Sequence, residues 1–84
     1  MNLTQELRGN NLILRIAGDL IGEDDNSQLI SVVNEAISHQ VATCIIEISA
    51  LRYINSSGIG ILITILTKFR NKGGEVYLMN PSES

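Results

Sequence analysis

The sequence predicts an α/β domain in which helices pack on a single, mostly parallel sheet. Two segments with helical periodicity alternate with short β-branched segments, which is the pattern of strand–helix–strand units. One of the β-branched segments is an almost continuous apolar run, as expected for a strand inside a parallel sheet. The 84 residues suffice for a single domain, 1–84, and contain no repeat or linker. The predicted order is β-β-α-β-α-β, with right-handed crossovers between parallel strands.

The first half of the chain predicts a β-hairpin followed by a helix. A short strand is predicted over 2–7 and a second over 12–16, where apolar residues alternate. The turn between them is expected at residues 9–11. Residues 18–22 break the alternation, and apolar residues at three-and-four spacing then predict a helix over 25–39.

The second half predicts a strand, a loop, a helix and a further strand. The β-branched run at 41–48 predicts a strand buried on both faces, and residues 49–55 are expected to form a loop. A second helix is predicted over 56–72, followed by a strand over 76–79. Pro81 suits the first turn of another helix.

The composition excludes several classes of protein. Six Lys and Arg against nine Asp and Glu give a net charge of −3, which argues against nucleic-acid binding. No apolar run reaches the ~18 residues of a membrane span, and the N-terminus lacks the apolar core of a signal peptide. The single cysteine, Cys44, cannot form an internal disulfide, which is typical of an intracellular chain. We therefore expect a cytoplasmic protein without a membrane span.

The sequence offers few residues that could bind a metal ion or catalyse hydrolysis. The only histidine is His39 and the only thiol is Cys44, whereas a zinc site takes about four nitrogen or sulfur ligands. His39 near the end of a predicted helix is typical of a solvated charge rather than of a catalytic base. Cys44 within an apolar run is expected to be an inert core residue. We expect no metal, no cofactor and no enzymatic activity.

The segment 53–60 is the most informative, because it joins a predicted strand to the start of a helix. In open α/β sheets, sites usually form at such junctions. Ser56 is placed to be the N-cap, with its hydroxyl meeting free N–H groups of the first turn. Gly58 and Gly60 remove side chains from that turn and are expected to leave its backbone approachable.

Three interpretations of this segment compete. In the first, Ser56 is only a helix cap and the glycines permit tight packing. In the second, the loop binds a phosphate group of a ligand. In the third, the Ser56 hydroxyl is itself the substrate of a modifying enzyme. The phosphate loop is disfavoured because neither Gly-x-Gly-x-x-Gly nor a Gly-rich loop ending in Lys-Ser/Thr is present. A phosphate on Ser56 would add about −1.5 to −2 charges at a helix N-terminus, where negative charge is tolerated.

The second helix carries more apolar surface than one sheet face can cover. At 100° per residue, the expected core stripe consists of Ile59, Leu62, Ile63, Leu66 and Phe69. Ile61 and Ile65 lie off its centre, so the apolar arc covers roughly 200°. Either a further C-terminal segment buries the excess, or the excess is a partner surface beside Ser56.

On these residues, the chain resembles the STAS domains, and specifically the bacterial anti-sigma factor antagonists. Residues 51–62, LRYINSSGIGIL, are similar to the family signature of an apolar pair, Asp, Ser, Ser or Thr, Gly, an aliphatic residue, Gly and an apolar helix. Residues 16–20, the glycine pair at 73–74 and Asn80-Pro81 resemble further family features in the matching order. The resemblance therefore covers nearly the whole chain.

The resemblance implies that the chain is a substrate and a switch. The unphosphorylated form would bind an anti-sigma factor, which is also a serine kinase of the histidine-kinase-like ATPase fold, and would thereby free the sigma factor. The kinase would phosphorylate Ser56 with its own ATP, the complex would dissociate, and a metal-dependent serine phosphatase would restore the unphosphorylated form. Segment 18–25 also leads from a strand toward a helix and is expected at the same sheet edge. The expected partner-binding residues are Asn55, Ser57, Gly58, Ile59, Ile61, Asp19 and Asp24.

Two features depart from the family pattern. Asn55 stands where the family has Asp, which bears on the rate of phosphorylation more than on partner binding. The sequence also ends before the last family helices and the final strand, as expected either of a fragment or of a shortened variant that completes its sheet with a partner. An uncovered sheet edge would favour a homodimer.

Two other functions are open on the sequence alone. One is a STAS subunit of a membrane lipid- or anion-transport complex, which would bind its transporter or ATPase whatever the state of Ser56. The other is binding of a small molecule or nucleotide.

Overall fold

The structure, a computed structural model, describes residues 1–80 as a five-stranded sheet with two helices. The strands are β1 (Asn2–Arg8), β2 (Asn11–Leu20), β3 (Thr43–Glu47), β4 (Leu51–Ile54) and β5 (Glu75–Met79), and the helices are α1 (Glu23–Ser38) and α2 (Ser56–Asn71). The predicted α/β fold is confirmed, with the order β-β-α-β-β-α-β. The helix predicted at Pro81 lies outside the described residues.

The sheet is built around β2. This strand pairs antiparallel with β1 and parallel with both β3 and β4, and β3 pairs parallel with β5. Only the hairpin pair is antiparallel, so the predicted mostly parallel sheet is confirmed. The hairpin turns at the expected place, where Gly9 adopts a φ of 59°.

The second strand is longer than the alternation predicted. It does not stop at Ile16 but continues to Leu20, through a bulge between Gly18 and Asp19. Gly18 has a φ of 83°, and its N–H donates to the carbonyl of Ala50 at 3.0 Å. The glycine therefore interrupts the side-chain alternation without ending the strand.

The predicted loop at 49–55 is wrong, because it contains β4. Leu51, Tyr53 and Ile54 are in register with the last three residues of β2. The strand has four residues, and Arg52 and Tyr53 are exposed, so it shows no apolar alternation. Its pairing with the end of β2 brings the start of α2 to the same sheet edge as the start of α1.

Both helices lie on one face of the sheet. The core joins α1 and α2 to the inward side chains of β2 and β3. Its members are Leu12, Leu14, Ile16, Leu20, Leu29, Val33, Ala36, Val41, Cys44, Ile46, Ile65 and Phe69. The predicted burial of β3 on both faces is wrong, because Ile45 and Glu47 on its other face are only half-buried.

The opposite, outer face of the sheet carries an ion network. Arg15 lies 3.1 Å from a carboxylate oxygen of Glu6 and 3.3 Å from one of Glu47. Hydrogen bonds from Arg8 and Arg15 lower the pKa of Glu6. Charged side chains therefore occupy the sheet face that no helix among residues 1–80 covers.

Cys44 is fully buried, as predicted for a core residue. Burial raises the pKa of its thiol to about 12, because a thiolate would be poorly solvated there. The prediction of an inert cysteine is consistent with this environment.

The first helix begins at Glu23, slightly earlier than predicted, with Gly22 at its N-cap. Gly22 has no side chain to cap the helix, and three carboxylates occupy the first turn instead. At the other end, the exposed His39 is the C-cap, and its Nδ1 lies 2.9 Å from the carbonyl oxygen of Glu35.

The second helix faces the sheet with a different stripe from the predicted one. Ile65, predicted off-centre, is fully buried together with Phe69, whereas Ile59 and Ile63 are 50% and 57% exposed. Relative to the predicted orientation, the helix is rotated about its axis, because Gly58, which has no side chain, faces the end of β2. The stripe that includes Ile59 and Ile63 therefore lies beside the core, toward β5.

Candidate functional site

The candidate site is the junction at which β4 passes into α2. Asn55 caps the helix, since its Oδ1 accepts a hydrogen bond from the Gly58 N–H at 2.9 Å. Its Nδ2 donates to the carbonyl of Ile21 at 3.3 Å. The predicted N-cap, Ser56, is therefore wrong by one residue; Ser56 is the first residue of the helix. Both residue types are good caps, so the sequence does not separate these alternatives.

Ser56 presents a free hydroxyl at the surface. The residue is exposed, and its side chain makes no hydrogen bond with any of residues 1–80. Its backbone is fixed, because Asn55 before it and Gly58 after it hold the first turn together. An enzyme from outside can therefore reach the Ser56 oxygen without any opening of the fold.

Ser57 is exposed as well, but its hydroxyl is engaged. Its Oγ accepts a hydrogen bond from Nδ2 of Asn26 at 3.1 Å. This contact joins the first turns of α1 and α2. The Oδ1 of Asn26 is buried and has no partner within the described part of the chain.

The two glycines of the motif serve different purposes. A Cβ on Gly58 would lie 2.6 Å from the Leu20 carbonyl oxygen and 2.7 Å from Cγ1 of Ile54, so the residue is needed for close packing. A Cβ on Gly60 would meet nothing within 4 Å, and Gly60 is exposed. The expected approachable backbone is thus found at Gly60, whereas Gly58 is buried.

Acidic side chains surround this edge. Asp19 forms a bidentate ion pair with Arg52 of β4: its Oδ1 accepts from Nε at 3.1 Å, and its Oδ2 accepts from Nη2 at 3.2 Å. That hydrogen bonding lowers the pKa of Asp19 below its ordinary value. Asp24 is exposed in the first turn of α1, between Glu23 and Asp25. Arg52 could not be recognised from the sequence, because its contact depends on β4.

The two isoleucines of the predicted footprint lie on different sides of α2. Ile61 is half-buried and borders Asn26 and Ile30, on the α1 side. Ile59 borders an apolar groove of about 480 Å³ between α2 and β5. Asn55, Ser56 and Ser57 therefore lie at one sheet edge, whereas Ile59 and Ile61 point away from each other on either side of the helix.

Residues 1–80 hold neither a metal-binding cluster nor a helix that could span a membrane. Within residues 1–80, no three His, Cys, Asp or Glu side chains are grouped so that they could hold a metal ion. None of the helices in that range has the length and hydropathy needed to cross a membrane.

Comparison with known proteins links this geometry to one family. A family model described as the STAS domain matches residues 2–84. The anti-sigma factor antagonist SpoIIAA in its unphosphorylated form superposes with a TM-score of 0.83 at 24% identity, over 96% of this chain and 74% of that one. The phosphorylated form of the Bacillus cell fate determinant SpoIIAA gives 0.82 at 23% identity, over 98% and 75%.

A more distant structure shares the fold within a longer chain. Mglu superposes with a TM-score of 0.81 at 12% identity, over 95% of this chain but 20% of its own. No curated protein sequence gives a match. At these identities the structural likeness shows the fold.

The contrast between Gly58 and Gly60 gives a matched pair of variants. We expect Gly58→Ala to lower the free energy of unfolding by about 1–3 kcal/mol, because the new methyl collides with the Leu20 carbonyl. Gly60→Ala should raise it by up to about 1 kcal/mol, because alanine favours the helix and finds open space. Urea denaturation measures both values, and a change in the same direction for both variants would contradict the packing assignment.

The Asp19–Arg52 pair predicts a pH effect. The depressed pKa of Asp19 means that this pair contributes stability above the ordinary value of 3.8, which is lost as the pH falls through the folded-state pKa. In Arg52→Gln the pKa of Asp19 should rise toward 3.8, and the loss of stability in acid should become smaller. Carboxyl NMR titration measures the pKa, with Arg70→Gln as the control. An unchanged Asp19 pKa in Arg52→Gln would show that the ion pair does not persist in solution.

Proposed function

Since the chain belongs to the STAS domain family, we propose that it acts as an anti-sigma factor antagonist switched by phosphorylation of Ser56. The observation that carries the proposal is the exposed Ser56 hydroxyl, which makes no hydrogen bond within residues 1–80 and lies at the capped start of α2. The similarity to SpoIIAA, known in unphosphorylated and phosphorylated forms, supports it.

In this proposal, binding and phosphorylation oppose each other. The unphosphorylated protein binds an anti-sigma factor that is also a serine kinase, and the sigma factor is released. The kinase transfers the γ-phosphoryl group of its ATP to Ser56, and the complex dissociates. A serine phosphatase removes the phosphate and restores binding. The chain itself supplies a hydroxyl and a surface, and it needs no cofactor or catalytic group. All these steps take place in the cytoplasm.

The switch needs only a change of charge. A phosphate carries about −1.5 to −2 charges, and the N-terminus of α2 accepts negative charge without unfolding. A like charge 4 Å away costs ~4 kcal/mol at an effective dielectric constant near 20. That matches the roughly 4 kcal/mol needed for a thousandfold loss of affinity. One phosphate at an interface therefore suffices to separate the partners.

The proposed partner surface surrounds Ser56 at the edge shared by both helix starts. Asn55 and Ser57 flank the hydroxyl, Ile59 supplies exposed apolar area one turn further along, and Ile61 contributes from the α1 side. Asp19 and Asp24 supply the negative charge of this proposed surface. Gly58 supports this surface from beneath, because it is buried against β2.

A second candidate function is supported by the bonding of Asn55. Both ends of its amide are used within the fold, so the motif has a structural purpose without phosphorylation. Mglu also shows that this fold occurs as a fifth of a longer chain. The alternative is a phosphorylation-independent interaction subunit of a membrane lipid- or anion-transport complex.

Phosphorylation is tested directly with a histidine-kinase-like serine kinase from the same organism and ATP. We expect one phosphate per chain, located on Ser56 by peptide mass spectrometry, because this hydroxyl is exposed and makes no hydrogen bond in the described part of the chain. The Ser56→Ala variant serves as the control and should remain unmodified. Absence of phosphate from the unaltered chain, with a kinase that binds it, would refute the switch.

The affinity of a Ser56→Asp variant for the anti-sigma factor distinguishes between the two candidate functions. Ser56→Asp should weaken binding to the anti-sigma factor by up to about a thousandfold, since it places a permanent charge inside the interface. Thr67→Asp adds the same charge to the exposed side of α2, eleven residues further along, and should bind normally. Calorimetry measures both affinities. Full binding by Ser56→Asp would instead favour the transport-complex subunit.

A further inference from the structure

The two serines of the motif are adjacent and both exposed, but among the described residues the hydroxyl of Ser57 has a hydrogen-bond partner and that of Ser56 has none. Ser56 makes no side-chain hydrogen bond within the described residues, whereas Ser57 is bonded to Asn26 at 3.1 Å. The bonded oxygen is held toward α1. A kinase that approaches the start of α2 therefore meets one mobile nucleophile and one tethered nucleophile.

The position of Asn26 adds an electrostatic difference. Asn26 directly follows Glu23, Asp24 and Asp25, the three carboxylates of the first turn of α1. A phosphate on Ser57 would place its charge next to this acidic turn. Like charges in such proximity are unfavourable. The tether on the hydroxyl and this repulsion both disfavour modification of Ser57.

We propose that Asn26 is a positioning residue that directs phosphorylation to Ser56 by holding the hydroxyl of Ser57. This inference rests on the proposed function. In the transfer, a serine Oγ forms a bond to the γ-phosphorus of ATP, the bond from that phosphorus to the bridging oxygen breaks, and ADP leaves. The hydroxyl proton passes to a base of the kinase. The hydrogen bond from Asn26 holds the Ser57 oxygen toward α1, so attack from the exposed side requires that oxygen to rotate away from Asn26.

The test compares Asn26→Ala with Ser27→Ala, a neighbouring exposed residue for which no hydrogen bond to Ser57 is found. Each variant is incubated with the kinase and ATP, and fragmentation mass spectrometry gives the ratio of phosphate on Ser57 to phosphate on Ser56. We expect Asn26→Ala to raise this ratio by about three- to tenfold, the range of one exposed hydrogen bond. Ser27→Ala should leave it unchanged. A ratio in Asn26→Ala equal to that of the unaltered chain would overturn the inference, while leaving phosphorylation of Ser56 intact.

A second measurement needs no kinase. NMR couplings of the β-protons should show a fixed χ1 rotamer for Ser57 in the unaltered chain and averaging in Asn26→Ala, with Ser56 averaged in both. Averaging of Ser57 in the unaltered chain overturns the inference whatever the kinase does. If Ser57 is fixed but neither serine is phosphorylated, the proposed function fails and the tether stands. Asn26→Ala should fold, because it removes a buried oxygen that has no partner among residues 1–80.

Discussion

The close approach between the first turn of α2 and the end of β2 determines the rest of the arrangement. Only glycine at position 58 permits it, since any side chain would meet the carbonyl of Leu20. The contact fixes how α2 is rotated, and it turns Ile65 and Phe69 into the core. Side chains on the neighbouring stripe, including Ile59, are left at the surface as a result. The packing of one glycine thus determines which apolar side chains of this helix enter the core and which stay exposed.

Side-chain hydrogen bonds of Asn55 hold the backbone of the serine pair in place. The Asn55 side chain bonds both to Gly58 in its own helix and to Ile21 after β2, so the turn is held from two elements. The backbone of Ser56 on this turn has a defined position, while its side chain is exposed. A charge added there changes what the surface attracts while the core beneath it stays as it is.

The hairpin, both helices and the two strands β3 and β5 could be predicted from the spacing of their apolar residues and from the turn signals between them. It missed β4, because a four-residue strand with two exposed side chains has no periodicity to read. The rotation of α2 could not be predicted either, since its apolar arc is too wide to have a single centre. The contact between Asn26 and Ser57 joins residues 31 positions apart, and no local pattern indicates it.

The ion network on the outer sheet face limits how copies of this domain can associate. Arg15 is held between Glu6 and Glu47, in the middle of a surface that the helices leave open. Stacking two such sheets would strip water from all three charges, and desolvation of ion pairs is costly. Pairing of copies along a strand edge leaves the three charges hydrated. Arg15 and its two carboxylate partners thereby disfavour aggregation through face-to-face stacking of two sheets.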